Sequence, residues 1–129
     1  MKRGLIIKTP WIDYILNGSK SWELRTKNSK IRGRIFLIRS GGDIEGEIHI
    51  SESIGPLEPQ ELLSNLDKLQ VSAERINEIS NDRKEGYKDG KDRYAWVLDS
   101  PMKYSNPVPY EKKPGAVIWV NLEDNPQLD

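Results

Sequence analysis

Residues 18–25 read Gly-Ser-Lys-Ser-Trp-Glu-Leu-Arg, a G-x-K-x-x-E-x-R motif on which the interpretation of the whole chain depends. The motif follows an amphipathic helical segment and opens a predicted strand. A turn glycine, a lysine, a carboxylate and an arginine fall within eight residues, so one cleft can collect both signs of charge. The motif therefore predicts a site for a polar ligand such as a nucleotide.

The segment before the motif predicts a strand followed by a helix. Residues 4–8 form a β-branched apolar run, which is typical of a buried strand. Thr9 is expected to cap a helix with Pro10 at its first position, and apolar residues at helical spacing continue until Asn17 and Gly18 end it.

After the motif the pattern predicts further strands and two short helices. Residues 20–25 and 33–40 each predict a strand, and the strict alternation over residues 44–51 predicts a half-buried one. Helices are expected to start at Pro59 and, with Ser72 as its cap, near Ala73.

The last third of the chain predicts a loop and the closing strands. Residues 81–91 are charged and lack periodicity, so we expect an exposed loop. Residues 93–98 predict a strand, the proline-rich residues 101–114 predict short edge-like pieces, and residues 115–122 predict the final strand before a polar tail. This order indicates a mixed α+β fold, a curled and mostly antiparallel sheet or small barrel with flanking short helices.

Length and composition exclude several classes of protein. The 129 residues predict one domain, 1–129, with a core from about residue 4 to residue 122. There is no cysteine, no run as long as a membrane-spanning helix and no signal peptide, so we expect a cytoplasmic protein with no membrane partner. No P-loop, dinucleotide-binding glycine pattern or nucleophile elbow occurs, and we expect neither a cofactor nor a metal.

The zero net charge hides a strong asymmetry along the chain. Residues 1–40 carry ten Lys and Arg against two acids, a net charge of +8, and the remainder carries a net charge of −8. A basic segment of this density can bind phosphates, whereas the acidic remainder repels a polyanion. We therefore expect any nucleic-acid-binding face to lie on one side of the protein. The alternative is that these charges only keep strand edges and loops solvated.

Several motifs in order resemble one family. A strand, a tryptophan-containing helix, the G-x-K-x-x-E-x-R motif and Arg-Gly-Arg-Ile at residues 32–35 are followed by Ala-Trp-Val-Leu at residues 95–98 and Gly-Ala-Val-Ile-Trp at residues 115–119. From about residue 5 to residue 122 the chain resembles the ASCH domain, a branch of the PUA-like superfamily.

The resemblance implies a β-barrel with flanking helices, a cleft that holds the motif, and partners among RNA, modified nucleosides or coactivator proteins. Some similar proteins are amidohydrolases that deacetylate acetylcytidine with a threonine nucleophile. The position that resembles that threonine is Glu23, so the hydrolase activity is not carried over to this chain.

Lys20, Glu23 and Arg25 are the first candidate site residues. Lys20 can anchor a phosphate or polarise a carbonyl, Arg25 can fork to a phosphate or base edge, and Glu23 can accept from an exocyclic amine. The alternative is a structural Glu23–Arg25 ion pair on one strand face. Strand alternation puts Lys20 on the opposite face, unless the turn after Gly18 rotates it before the strand begins.

Four tryptophans divide into two groups by their positions. Trp11 and Trp96 are candidates for stacking on an unpaired base, because an aromatic face accepts any base. For Trp11 the alternative is packing between helix and sheet. Trp22 and Trp119 lie mid-strand and are expected in the core.

Four other polar residues lie on the predicted strands or at their ends. Lys8 and Ser40 end their strands and are expected to border the cleft that holds the motif. Glu47 is a candidate base if it faces the cleft. His49 is the only histidine and is expected to be a solvated strand residue rather than a metal ligand.

These observations lead to three functional hypotheses. The first is a module that binds RNA, single-stranded nucleic acid or a modified nucleoside in the motif cleft. The second is a hydrolase of amidohydrolase or ribonuclease type acting on a nucleoside or RNA through Lys20, Glu23 or Glu47. The third is a protein-interaction adaptor.

Overall fold

The computed structural model describes residues 2–112, 114–115 and 117–128, and six strands form one sheet in it. The strands are β1 (Arg3–Ile7), β2 (Trp22–Arg25), β3 (Gly33–Arg39), β4 (Ile44–Ile54), β5 (Tyr94–Val108) and β6 (Trp119–Asn121).

Short helices accompany the sheet. They are α1 (Trp11–Leu16), α2 (Pro59–Leu63), α3 (Leu66–Leu69) and α4 (Ala73–Ile79), with a 3-10 helix at Pro126–Leu128. None of the helices in the described ranges has both the length and the apolar character needed to cross a membrane.

The sheet is curled into a half-barrel. Its strand order is β2-β5-β4-β3-β1-β6, in which β1 and β3 pair in parallel and the other neighbours are antiparallel. This architecture confirms the predicted mixed α+β fold with a curled, mostly antiparallel sheet and flanking short helices. Within the described residues β2 and β6 do not pair with each other, so the barrel is open.

Helix α1 lies against the sheet, and its N-terminus differs from the prediction. Pro10 occupies the N-cap position and no side chain caps the helix. Thr9 was expected to be that cap, but its Oγ1 accepts a hydrogen bond from Arg39 Nη1 at 2.6 Å. The helix is held by its apolar face instead, which packs into the largest core cluster with β1, β3, β4 and β5. The buried members of that cluster are Leu5, Ile7, Ile12, Ile15, Leu16, Ile35, Leu37, Ile48, Ile50, Trp96 and Leu98.

A second cluster lies under α2, α3 and α4. The predicted Ser72 cap is confirmed, because its side chain accepts a hydrogen bond from the Arg75 backbone N–H. Helix α3 was not predicted, since it has four residues and too few positions to show a period. The buried members of this cluster are Trp22, Leu57, Leu62, Leu69, Ile76, Tyr87 and Ala95.

The segment expected to be an exposed loop is anchored to the fold around Tyr87. Tyr87 is buried, and its hydroxyl donates a hydrogen bond to the Leu57 carbonyl at 2.6 Å. Burial raises the pKa of Tyr87 to about 12. Charged neighbours at residues 82–85 are exposed, so this segment is an exposed loop around one aromatic anchor.

The closing strands differ in length from the prediction. Strand β5 is continuous over 15 residues, through Pro101 and Pro107, rather than ending at residue 98. Strand β6 covers only Trp119–Asn121 of the predicted residues 115–122, of which Ala116 lies outside the described residues.

Candidate functional site

The turn at Gly18 determines how the motif is presented. Gly18 has a φ of +86°, a conformation that glycine adopts without strain, and it follows the end of α1. The Lys20 backbone N–H then donates to the Tyr14 carbonyl at 2.9 Å, and β2 begins only at Trp22. Because Lys20 precedes the strand, the alternation that separated it from Glu23 does not apply.

Glu23 stands between the two cations of the motif. Its Oε1 lies 3.6 Å from Lys20 Nζ, and its Oε2 accepts hydrogen bonds from Arg25 Nε at 3.1 Å and Nη2 at 2.8 Å. The structural ion pair considered from the sequence is therefore present, and Lys20 is added to it. One carboxylate shared between two cations leaves the trio with a net positive charge.

Lys20 is buried to an unusual degree for a lysine. It is 3 % exposed, and its ammonium also donates to the Leu69 carbonyl at 2.6 Å. Burial lowers the pKa of Lys20, and the Glu23 carboxylate counteracts part of that effect. A buried amine held by two acceptors is fixed in position beside Glu23.

The trio borders a cleft of about 1270 Å³ that Lys8, Trp11 and Ser40 also line. Lys8 and Ser40 follow the ends of β1 and β3, which run in parallel and so end at the same edge. The structure thus brings together six of the residues singled out in the sequence. Their roles in binding stay a prediction.

Arg25 connects parts of the sheet that are distant in strand order. Its Nη2 lies 3.4 Å from the Ile6 carbonyl of β1, and its guanidinium carbon lies 5.5 Å from the centre of the Trp96 ring. The rings of Trp96 and Trp119 are stacked with their centres 5.8 Å apart, although three strands separate β5 from β6. The curl of the sheet therefore brings β2 and β5 near β1 and β6 beside the cleft.

The proposed stacking role of Trp96 needs correction. Trp96 is only 4 % exposed, its indole N–H donates to the Lys27 carbonyl, and it is not among the cleft-lining residues. Trp119, which was expected in the core, is half-buried and lines the cleft. Trp11 is also half-buried there, whereas Trp22 is buried as expected. Of the four tryptophans, Trp11 and Trp119 thus offer surface to the cleft.

Glu47 does not face the cleft, which corrects its candidacy as a base there. Its carboxylate pairs with Arg34 at 3.1 Å and accepts from the Tyr104 hydroxyl at 2.6 Å. The other strand residue, His49, lies with Nδ1 at 3.1 Å from an Asp99 carboxylate oxygen and is partly exposed. No group of three potential metal ligands occurs in the part of the chain that the structure describes.

The basic excess of residues 1–40 is partly neutralised within the fold. Arg34 pairs with Glu47, and Arg39 pairs with both Asp13 and Glu45, in addition to the pairs of Lys20 and Arg25 with Glu23. The Arg39 hydrogen bond lowers the pKa of Asp13. Within described residues 2–40, four basic side chains have no carboxylate of the described residues within 4 Å, and these are Lys8, Lys27, Lys30 and Arg32.

Some cleft residues come from parts of the sequence distant from the motif. Arg75 of α4, Tyr110 and Trp119 all line the same cleft. Trp119 reaches it because β6 pairs with β1, where Leu5 and Trp119 are register partners. No local pattern signals such a pairing, so only the sheet topology identifies Trp119 as a cleft residue.

Comparison with known proteins agrees with the resemblance noted from the sequence. The family model described as ASCH domain matches residues 5–98, while no curated protein matches the chain.

Three crystal structures of an ASCH protein from Zymomonas mobilis are similar to this chain. A tyrosine-to-phenylalanine variant has 15 % identity and a TM-score of 0.70, covering 98 % of this chain and 95 % of that one. A serine-to-alanine variant has 16 % identity and a TM-score of 0.66 over 98 % and 93 %. The unsubstituted protein has 12 % identity and a TM-score of 0.69 over 98 % and 92 %.

At such identities the three structures support the fold alone. The family match covers well over half of the chain, and the protein therefore belongs to the ASCH domain family, a PUA-like family that is generally nucleic-acid-binding.

Proposed function

We propose that this protein binds RNA or another single-stranded nucleic acid, or a modified nucleoside, in the cleft lined by the G-x-K-x-x-E-x-R motif. The observation that carries the proposal is the composition of that cleft, which has a volume of about 1270 Å³. It is lined by the Glu23 carboxylate that two cations share, by further cations and by open aromatic faces. Each of the three chemistries matches one part of a nucleotide.

The motif supplies groups suited to a base edge. The Arg25 side chain is 20 % exposed and the Glu23 side chain 11 % exposed, so both retain some accessible surface. A guanidinium donates to base carbonyl and ring nitrogen acceptors, and a carboxylate oxygen accepts from an exocyclic amine. Because Lys20 and Arg25 hold Glu23, this arrangement is oriented before a ligand arrives.

Stacking and phosphate contacts are supported by other residues of the cleft. Trp11 and Trp119 offer half-buried aromatic faces, and each base stacked on such a face contributes about 1–3 kcal/mol. Lys8 is exposed and has no carboxylate within 4 Å among the described residues, so its charge is available to a phosphate.

The size of the cleft favours a strand over a single nucleoside. Pockets for one small molecule are typically about 300–1,000 Å³, and this cleft is larger. A nucleoside alone would leave much of it filled with water. We therefore rank single-stranded RNA first and a modified nucleoside second.

A binding titration tests this proposal. Fluorescence anisotropy with a labelled single-stranded RNA of eight nucleotides should show binding that weakens as salt rises from 50 to 200 mM. The Lys8→Gln variant should reduce the slope of log affinity against log salt by about 0.7, the value for one phosphate contact on a single strand. Lys88→Gln is the matched control, because Lys88 is exposed and lines no part of the cleft.

Two results would contradict the proposal. Absence of RNA binding at 50 mM salt, with no nucleoside raising the unfolding temperature, would leave the cleft without a ligand of this class. Salt-insensitive capture of a protein instead would favour the adaptor hypothesis.

A second candidate function is hydrolysis of a nucleoside or RNA bond, which the Lys20 amine favours. Its pKa is lowered by burial, and it lies beside a carboxylate, an arrangement that occurs at active sites as well as in structural pairs. Incubation with acetylcytidine and with RNA, using Lys20→Met as control, tests this function. Turnover by the wild type that is absent from the Lys20→Met variant would favour the hydrolase hypothesis over the binding-module hypothesis.

A further inference from the structure

A second concavity lies at the other end of the parallel strand pair β1 and β3. It has a volume of about 430 Å³ and shares no lining residue with the motif cleft. Four of its six lining residues are cations, and they come from β1, β3 and the segment before β3. This surface, called here the basic pocket, is lined by Arg3, Lys30, Ile31, Arg32, Arg34 and Ile35.

Two of these cations are not neutralised by the fold. Lys30 is exposed, and neither Lys30 nor Arg32 has a carboxylate within 4 Å among the described residues. Arg32 Nη1 donates to the Ser29 carbonyl at 2.7 Å and to the Ile31 carbonyl at 2.9 Å. These carbonyls orient the guanidinium but leave its full positive charge, so the pocket presents a fixed fork suited to a phosphate.

Arg34 also contributes accessible positive charge to the pocket, although it forms an ion pair. The Arg34 side chain is 40 % exposed although it pairs with Glu47 at 3.1 Å. Cations gathered in one concavity repel each other, and an anion bound there relieves that repulsion. The pocket has no aromatic lining residue, so it offers no platform for a base. Its chemistry is that of a phosphate site.

We propose that the basic pocket binds backbone phosphates of the same RNA strand whose bases occupy the motif cleft. This inference rests on the proposed function of the cleft. Arg3 begins β1, and Lys8 directly follows the strand at the cleft. At about 3.3 Å per residue the two positions are about 16 Å apart.

That distance sets the length of RNA needed to reach both sites. If the bound RNA keeps the phosphate spacing of one strand of a duplex, about 3.4 Å per nucleotide, it covers about 16 Å in about five nucleotides. An RNA of eight nucleotides therefore spans the cleft and the pocket, whereas a dinucleotide or a nucleoside occupies the cleft alone. Length dependence separates the two sites.

The experiment compares ligands of different length on a double variant. Lys30→Gln/Arg32→Gln removes the two uncompensated charges, and Arg83→Gln/Lys84→Gln is the matched control from an exposed loop. For the eight-nucleotide RNA, the pocket variant should lower the salt slope by about 1.4, two contacts at about 0.7 each. The ratio of the wild-type affinity to the affinity of the pocket variant should consequently fall about sevenfold as salt rises from 50 to 200 mM. Binding of a dinucleotide should not change.

The outcomes distinguish failure of this inference from failure of the cleft proposal. If the eight-nucleotide RNA loses affinity with Lys8→Gln but not with the pocket variant, the cleft stands and the pocket is overturned. If it loses affinity with the pocket variant but not with Lys8→Gln, the shared strand and the cleft proposal both fail. Equal binding of an acidic peptide of eight residues would overturn the assignment to nucleic acid. If Arg32 proves necessary for folding, the single variant Lys30→Gln, at an exposed position, repeats the test, and it should lower the salt slope by about 0.7.

Discussion

Replacing Glu23 with alanine should strongly destabilise the fold, because it leaves the buried Lys20 ammonium without its carboxylate. The Lys20 side chain is 2 % exposed, and its Nζ lies 3.6 Å from Glu23 Oε1. At an effective dielectric constant of about 20, two unit charges at that distance attract by about 4–5 kcal/mol. Deletion of Glu23 also removes the cost of burying it, so we expect a net loss of about 3 kcal/mol in the free energy of unfolding.

A double-mutant cycle measured by urea and thermal unfolding checks this reasoning. A loss of about 3 kcal/mol corresponds to a fall of roughly 10 °C in unfolding temperature for a domain of this size. Lys20→Met should cost only about 1 kcal/mol, the hydrogen bond to the Leu69 carbonyl, because it removes the buried charge itself. The double variant should therefore be about 2 kcal/mol more stable than Glu23→Ala.

The pH dependence provides a second measurement with a definite sign. The pKa of Lys20 is lowered in the folded state from 10.5, so between the two values the unfolded state binds more protons. The free energy of unfolding contributed by this group must then rise with pH up to about 10.5, and Lys20→Met should lack that rise. A Glu23→Ala protein within 1 kcal/mol of the wild type, or a double variant no more stable than Glu23→Ala, would refute the argument.

Three further predictions concern other parts of the chain. Tyr87→Phe should cost about 1–2 kcal/mol by unpairing the buried Leu57 carbonyl. Because the folded pKa of Tyr87 is raised to about 12, the wild type should lose its advantage over this variant as pH rises from about 10 to 12 in urea unfolding. Gly46→Ala should cost about 3 kcal/mol in the same assay, since its Cβ would collide with the Met102 backbone carbonyl, which cannot move aside as a side chain can, and would also stand 2.7 Å from Leu16 Cδ2. Acetylcytidine deacetylation, followed by chromatography, should be absent or very slow because Glu23 supplies no hydroxyl nucleophile, and robust turnover would contradict this.

The fold was largely predictable where one face of an element is buried. The β-branched run of β1 and the alternation of β4 locate both strands, because burial on the sheet imposes those patterns. Strand β5 was predicted too short because of its prolines. Its pairing with β2 covers only Tyr94–Val97, so β2 pairs with neither Pro101 nor Pro107. Because that side of β5 has no β2 partner there, the backbone N–H groups that proline lacks cost little stability.

The candidate site was predictable only in its local part. Lys20, Glu23 and Arg25 lie close in sequence, and the turn at Gly18 brings them together. The contribution of Trp119 depends on pairing between the two ends of the chain, which a local pattern does not encode. The same limitation explains the wrong prediction that Glu47 faces the cleft. The alternation of the strand shows which residues share a face with Glu47, but it does not show which face of the sheet forms the cleft.

The curl that brings Trp96 against Trp119 also determines the width of the cleft. The pairing of strands β4 and β5 changes register at three places, near Gly46, between Glu47 and His49, and near Ile50, and such irregularities bend strands. A substitution at one of these bends should alter the separation of the cleft walls while every residue proposed to contact a ligand stays the same. Ligand size in this fold can therefore diverge through sheet curvature, and a comparison of binding residues alone would miss the change.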